Sequence, residues 1–129
     1  MKAVVSLVAL VLLAACATAP APQTSAVAAP QAQERAPSRA LRLLQAAGGA
    51  EAPTQAQIVS VLGAPHILRH DGAGAALTYR YEHCALLLLF AADGRNAMRL
   101  AEANPGPRRT GAATPSLAQC ADEAEARGS

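Results

Sequence analysis

Aromatic side chains are nearly missing from this 129-residue chain: tryptophan is absent, and Tyr79, Tyr81 and Phe90 form the whole aromatic set, 2% of the residues. Three rings offer no platform on which nucleic-acid bases could stack. Charge is scarce too, at 16% of residues, with 11 basic against 9 acidic groups and a formal net charge of +2. The one lysine, Lys2, lies in a segment expected to be removed, which leaves 10 basic against 9 acidic groups. No electrostatic case for nucleic acid remains. Long apolar runs are missing as well, because the longest, from Ala3 to Leu13, is far shorter than the roughly 20 residues that span a bilayer. A permanent transmembrane helix is not expected. The hydrophobic fraction of 52% suggests a large core, but alanine alone occupies 34 positions, and large aliphatic residues cluster in a few short stretches. The chain therefore has material for one small domain.

What is present begins with an address. Met1-Lys2, the apolar run and the small residues Ala14-Ala15 before Cys16 have the layout of a secretory signal over residues 1–15. Leu13-Ala14-Ala15-Cys16 has the form of a bacterial lipobox, in which the cysteine thiol receives a diacylglycerol and the new amine at Cys16 is acylated. Two or more acyl chains hold a protein stably on a bilayer without spanning it. The alternative is an ordinary signal followed by an incidental cysteine. Ala17 stands where an aspartate would favour inner-membrane retention, so the expected location is the periplasmic face of the outer membrane.

After Cys16 the composition shifts to Ala, Pro, Gln, Thr and Ser as far as Pro37, with no periodic apolar face. Residues 16–37 read as the lipidated cysteine and a disordered tether, and residues 38–129 as a small periplasmic domain. Ser38 caps a short helix carrying Leu41, Leu43 and Leu44, which Gly48-Gly49 stops. A second helix is better marked, with a Thr54/Gln57 capping box, an Ile58, Val61, Leu62 stripe, and Gly63 and Pro65 at its end.

Beyond Pro65 the period turns toward two. His66 to His70 reads as a strand and Asp71-Gly72-Ala73-Gly74 as a turn; Ala75 to Tyr81 follows with Leu77, Tyr79 and Tyr81 on one face. Glu82-His83 reverses the chain into Cys84 to Phe90, apolar on both faces and so expected to be covered on both. Asp93-Gly94 turns it again into Asn96 to Glu102, with Met98 and Leu100 inward. Pro105 to Arg109 is expected to break regular structure, and Thr114 to cap a weak helical tail with Pro115 in its first turn. The expected class is α+β: two short helices packed on a three- to four-stranded antiparallel meander, with a C-terminal helical tail.

Setting Cys16 aside, Cys84 and Cys120 form an even pair in an exported chain and are expected to make a disulfide, worth about 3–4 kcal/mol on the chain-entropy model. Two buried thiols are the competing reading. The bridge would fold the tail onto the sheet, over the face that the two helices leave open.

No catalytic, cofactor or metal residue is assigned. His66 and His70 stand about 13 Å apart on an extended strand, too far to share an ion. His83, although flanked by Glu82 and Cys84, belongs to no zinc-type spacing. There is no G-x-S-x-G elbow, and strand neighbours such as His83 and Cys84 point to opposite faces. Arg80 and Arg99 fall on outward positions, as a basic strip facing acidic lipid or protein or simply as the charge a wet sheet face needs.

The run Thr54-Gln55-Ala56-Gln57-Ile58-Val59-Ser60-Val61-Leu62-Gly63-Ala64-Pro65 resembles the T-x-x-Q-V-x-x-L-L-G-x-P segment of the SmpA/OmlA family, the small lipoprotein component of the outer-membrane barrel assembly machinery. Leu77-Thr78-Tyr79 falls where that family has Trp-x-Tyr, and Leu87 to Phe90 with Asp93-Gly94-Arg95 is similar to its strand-turn-strand signature. The likeness runs from Thr54 to Leu100. It implies a noncatalytic module that binds envelope or outer-membrane assembly proteins, anchored in the lipid bilayer through acylated Cys16. The alternative class is an envelope enzyme-inhibitor or ligand-binding lipoprotein.

Overall fold

Ser38 caps the first helix by accepting, on its Oγ, the Leu41 N–H at 3.1 Å. The computed structural model describes residues 35–128; the leader, Cys16 and most of the tether lie outside them. Helix α1 (Arg39–Gln45) buries Ala40 and Leu44. Past its end Gly48 adopts φ 71°, and its N–H donates to the Leu100 carbonyl at 2.9 Å. A Cβ there would sit 3.2 Å from the Ala101 carbonyl, so this crossing needs glycine on two counts.

Helix α2 (Gln55–Leu62) starts with the expected capping box, in which the Thr54 N–H donates to Gln57 Oε1 at 2.8 Å and the Gln57 N–H to Thr54 Oγ1 at 3.3 Å. It buries Ile58 and Leu62.

Four strands follow: β1 (Ile67–Asp71), β2 (Gly74–Arg80), β3 (Cys84–Ala92) and β4 (Met98–Pro107), antiparallel and in the order β1-β2-β3-β4. The fold is α+β, as expected. Each turn has its own chemistry. Gly72, at φ 58°, allows the two-residue turn between β1 and β2. Glu82-His83 makes the next, closed by the Tyr81 N–H on the Cys84 carbonyl at 2.8 Å. In the third, Asp93 Oδ1 accepts the N–H groups of Arg95 at 2.8 Å and Ala97 at 2.9 Å. Asn96 takes φ 61° in this turn, so β4 starts at Met98 and not at Asn96 as expected. Likewise β1 starts at Ile67, one residue after the expected His66.

One face of the sheet carries the core: Leu77 and Tyr79 from β2, Cys84, Leu86, Leu88 and Phe90 from β3, and Leu100 from β4. A bulge in the β3–β4 ladder makes this possible. Leu89 pairs with Glu102 and Phe90 with Leu100, which leaves Ala101 as the extra residue. Strict alternation would put Leu100, Glu102 and Asn104 on one face, whereas the bulge sends Leu100 inward and the other two outward.

Four expectations about coverage and element ends are corrected. Pro105 and Pro107 do not break β4: they pair with Leu86 and Cys84 at the edge of the sheet, where a missing N–H can face solvent. β3 is covered on one face only, since Leu86 and Leu88 are fully buried while Leu87 is 39% exposed. Helix α3 (Leu117–Gly128) does not occupy the open face; it packs against α1, α2 and the core side of β3 and β4. Its cap is Ser116 rather than Thr114, because Ser116 and Gln119 form a reciprocal box, with the Ser116 N–H on Gln119 Oε1 at 2.7 Å and the Gln119 N–H on Ser116 Oγ at 3.1 Å.

The Cys84–Cys120 disulfide is present, with Cα atoms 5.5 Å apart, and it fixes the first turn of α3 to the start of β3. Small residues then let α3 approach α1 closely, with Ala40, Ala121 and Ala124 all buried. Glu125 reaches from α3 to the first turn of α1, where its Oε1 accepts the Ala40 N–H at 3.1 Å. That first turn has no acidic residue of its own, so this carboxylate meets its exposed donors and positive dipole end.

Candidate functional site

Among the described residues all three helices lie on one side of the sheet, and no described element covers the other side. The register fixes what it displays. Ile67, Thr78, Leu87 and Asn104 form one cross-strand row, and Arg69, Ala76, Leu89 and Glu102 the next. Ile67 and Leu87 are 37% and 39% exposed, and Leu68, on the other face of the same edge, is 47% exposed. Ile67 and Leu87 thus stand on the helix-free face on either side of Thr78, one on the edge strand and one on an inner strand, as two apolar points of the same row.

The four arginines on or near this face behave differently. Arg99 is committed: its Nε donates to Asp93 Oδ2 at 3.1 Å and its Nη1 to the Ala52 carbonyl at 3.1 Å. It joins the β3–β4 turn to the chain between α1 and α2, and so does not form the basic strip with Arg80. Arg69, Arg80 and Arg95 make no side-chain ion pair among the described residues. Arg69 and Arg80 flank the apolar row of the β1–β2 hairpin.

A cleft of about 690 Å³ opens at one end of the sheet, between the Glu82-His83 turn, the chain after β4 and the first turns of α3. Glu123 organises it by accepting the His83 N–H on Oε2 at 3.1 Å and lying 3.3 Å from His83 Nδ1 through Oε1. Arg108, Arg109 and Asp122 complete a wall of mixed charge. Cys84, the sequence neighbour of His83, is bonded to Cys120 and is no nucleophile.

The same end of the sheet holds His66, Arg80, Tyr81 and Arg127 around a smaller, adjoining cleft. His66 Nδ1 accepts the Arg80 N–H at 3.1 Å, while Arg127 Nη1 lies 3.0 Å from Nε2. Partial loss of hydration, with the charges of Arg127, Arg80 and Arg108, holds the His66 ring below its ordinary pKa. Tyr79 Oη donates to the Gly63 carbonyl at 2.9 Å, whereas the buried Tyr81 hydroxyl has no partner among the described residues.

The three histidines are thus dispersed over the lead into β1, the outer strand and the β2–β3 turn. Among the described residues no group of three or more His, Cys, Asp or Glu is placed to hold a metal ion, and no helix is long and apolar enough to cross a membrane. Sequence reasoning missed the His83–Glu123 and Arg99–Asp93 pairs, of which only the second is local enough to show in the sequence, in Asp93-Gly94-Arg95 and the returning strand. It also missed the exposed row, because Leu86 to Leu89 reads as uniformly buried. Comparison of the chain with protein-family models, with curated proteins and with solved structures finds no match.

Proposed function

We propose that this protein is a lipid-anchored, noncatalytic binding module of the periplasmic face of the outer membrane, whose helix-free sheet face docks an envelope protein. The observation that carries the reading is the row Ile67, Thr78, Leu87 between two arginines that make no ion pair among the described residues. The matching partner surface is an apolar segment with carboxylates on either side, set to meet Arg69 and Arg80. The lipobox ending at Cys16 supports the anchor, and the resemblance to SmpA/OmlA proteins supports a partner in outer-membrane protein assembly. The cleft beside His83 favours a second reading, a ligand-binding or enzyme-inhibiting lipoprotein.

The test combines anchor and face. Cys16→Ser protein is expected to leave the membrane fraction. A photo-crosslinker at Leu87 in the wild-type anchor background is expected to capture outer-membrane assembly components, and one at exposed Asp122 is not. Retention of Cys16→Ser in the membrane with unchanged processing sinks the anchor, and equal capture from both positions sinks the docking face. Inhibition of an envelope hydrolase by the purified protein, with no capture from Leu87, would establish the second reading instead.

A further inference from the structure

The two edges of the sheet are unequally protected. β4 carries Pro105 and Pro107 and a bulge at Ala101, each of which interrupts pairing with an added strand. β1 has none of these devices, and all five of its residues are exposed, so the helices stop short of it on the core side as well. The ladder shows which of its backbone groups are free. Ala92 N–H to Ala73 O and Tyr81 N–H to Cys84 O place the odd positions of β2 in bonds to β3, so its even positions bond to β1. Those even positions pair with Ile67, Arg69 and Asp71. Leu68 and His70 therefore turn their N–H and C=O groups to the open edge.

From this edge we infer that the protein self-associates, the β1 strands of two copies pairing antiparallel about a two-fold axis at His70 to join two four-stranded sheets into one. Charge selects the register. An axis at His70 sets Arg69 of each copy opposite Asp71 of the other, at the closely spaced position beside the hydrogen-bonded pair. An axis at Arg69 would oppose two guanidinium groups, and an axis at Leu68 would leave Arg69 facing Ile67. Neither Arg69 nor Asp71 has an ion-pair partner among the described residues, so both are available. The interface is short, two main-chain hydrogen bonds between the facing His70 residues and two exposed ion pairs, because Leu68 faces Gly72 of the turn rather than a strand residue, so association is weak and concentration-dependent. It leaves the apolar row uncovered and extends the face across the two-fold axis. The pairing does not depend on the docking partner proposed above, although both draw on the Arg69 guanidinium, which leaves Arg80 as the arginine that serves docking alone.

Full-length His70→Cys protein in mild detergent, treated with a gentle oxidant, tests this. Facing Cα atoms of a hydrogen-bonded antiparallel pair lie about 5.5 Å apart, within disulfide reach. A covalent dimer is expected to form at least ~10-fold faster than in a Thr110→Cys control, whose cysteine sits in an exposed loop outside the sheet, or in wild type, which reports any contribution from Cys16. Adding Arg69→Asp to His70→Cys is expected to slow it to the control rate, because Asp then faces Asp; adding Asp71→Arg as well is expected to restore it. Cross-linking of His70→Cys no faster than the control overturns the self-association. Fast cross-linking that the double charge swap fails to restore overturns the register. Thermal melts of the charge variants, expected to match wild type because both residues are exposed, separate these outcomes from misfolding.

Discussion

Tyr79 and Tyr81 sit two residues apart on the same face, their rings stacked with centroids 6.1 Å apart, yet their hydroxyls meet opposite fates. Tyr79 donates to the Gly63 carbonyl at the end of α2, and burial pushes its pKa up to about 12. The Tyr81 hydroxyl is buried without a partner among the described residues, and burial pushes its pKa up as well. A satisfied hydrogen bond contributes about 1 kcal/mol net, while a buried unsatisfied hydroxyl costs free energy that its removal recovers. Tyr79→Phe is therefore expected to destabilise the fold by about 1 kcal/mol, and Tyr81→Phe to leave stability unchanged or raise it. Urea unfolding of both variants checks this, and equal losses would mean that the Tyr81 hydroxyl has a bonding partner after all. The sequence showed both rings facing inward. It could not show the difference, which depends on where the end of α2 arrives.

At the scale of elements, local signals were legible and long-range coverage was not. Thr54/Gln57, Gly63 and Pro65 mark α2 because capping is an exchange of hydrogen bonds within four residues. The same signal at Ser116/Gln119 was present in the sequence but masked by Thr114-Pro115, which also fits a helix start. Pro105 and Pro107 read as breakers because a sequence does not say which strand is the edge. The β3–β4 hairpin shows how a local signal acquires a long-range role. Asp93 is held below its ordinary pKa first by the N–H of Ala97 and then by those of Arg95 and the Arg99 side chain. Its folded form binds a proton less readily than its unfolded form, so the stability it contributes is present above the ordinary value of 3.8 and is lost as pH falls through the lower folded value. Asp93→Asn is expected to melt below wild type at neutral pH, with the gap closing below about pH 4. A gap that persists unchanged at about pH 2 would show that the carboxylate charge is not what holds the turn.

For the whole molecule, the question raised by so small an apolar inventory is what keeps α3 in place. Its buried side chains are Cys120, Ala121 and Ala124, and only Leu117 adds a larger, partly buried group. Alanine burial against α1 gives close approach but little apolar area, so packing alone holds this helix weakly. The Cys84–Cys120 bridge, spanning 36 positions, removes from the unfolded chain the freedom that would otherwise oppose docking. On the chain-entropy model that is worth about 3–4 kcal/mol. A domain of this size shifts its melting midpoint by roughly 4–8 °C per kcal/mol, so the paired substitution Cys84→Ala/Cys120→Ala is expected to lower it by roughly 12–30 °C. The loss should also be uneven. α3 covers the core side of β3 and closes the cleft around Glu123, whereas β1 and β2 are bound through their own ladders. Amide exchange in the variant is therefore expected to quicken first in α3 and in α1, whose first turn rests on Glu125, while the centre of the sheet stays protected. Uniform acceleration across sheet and helices would instead make the bridge a support of the entire fold, and an unchanged midpoint would mean that alanine packing suffices to hold the tail.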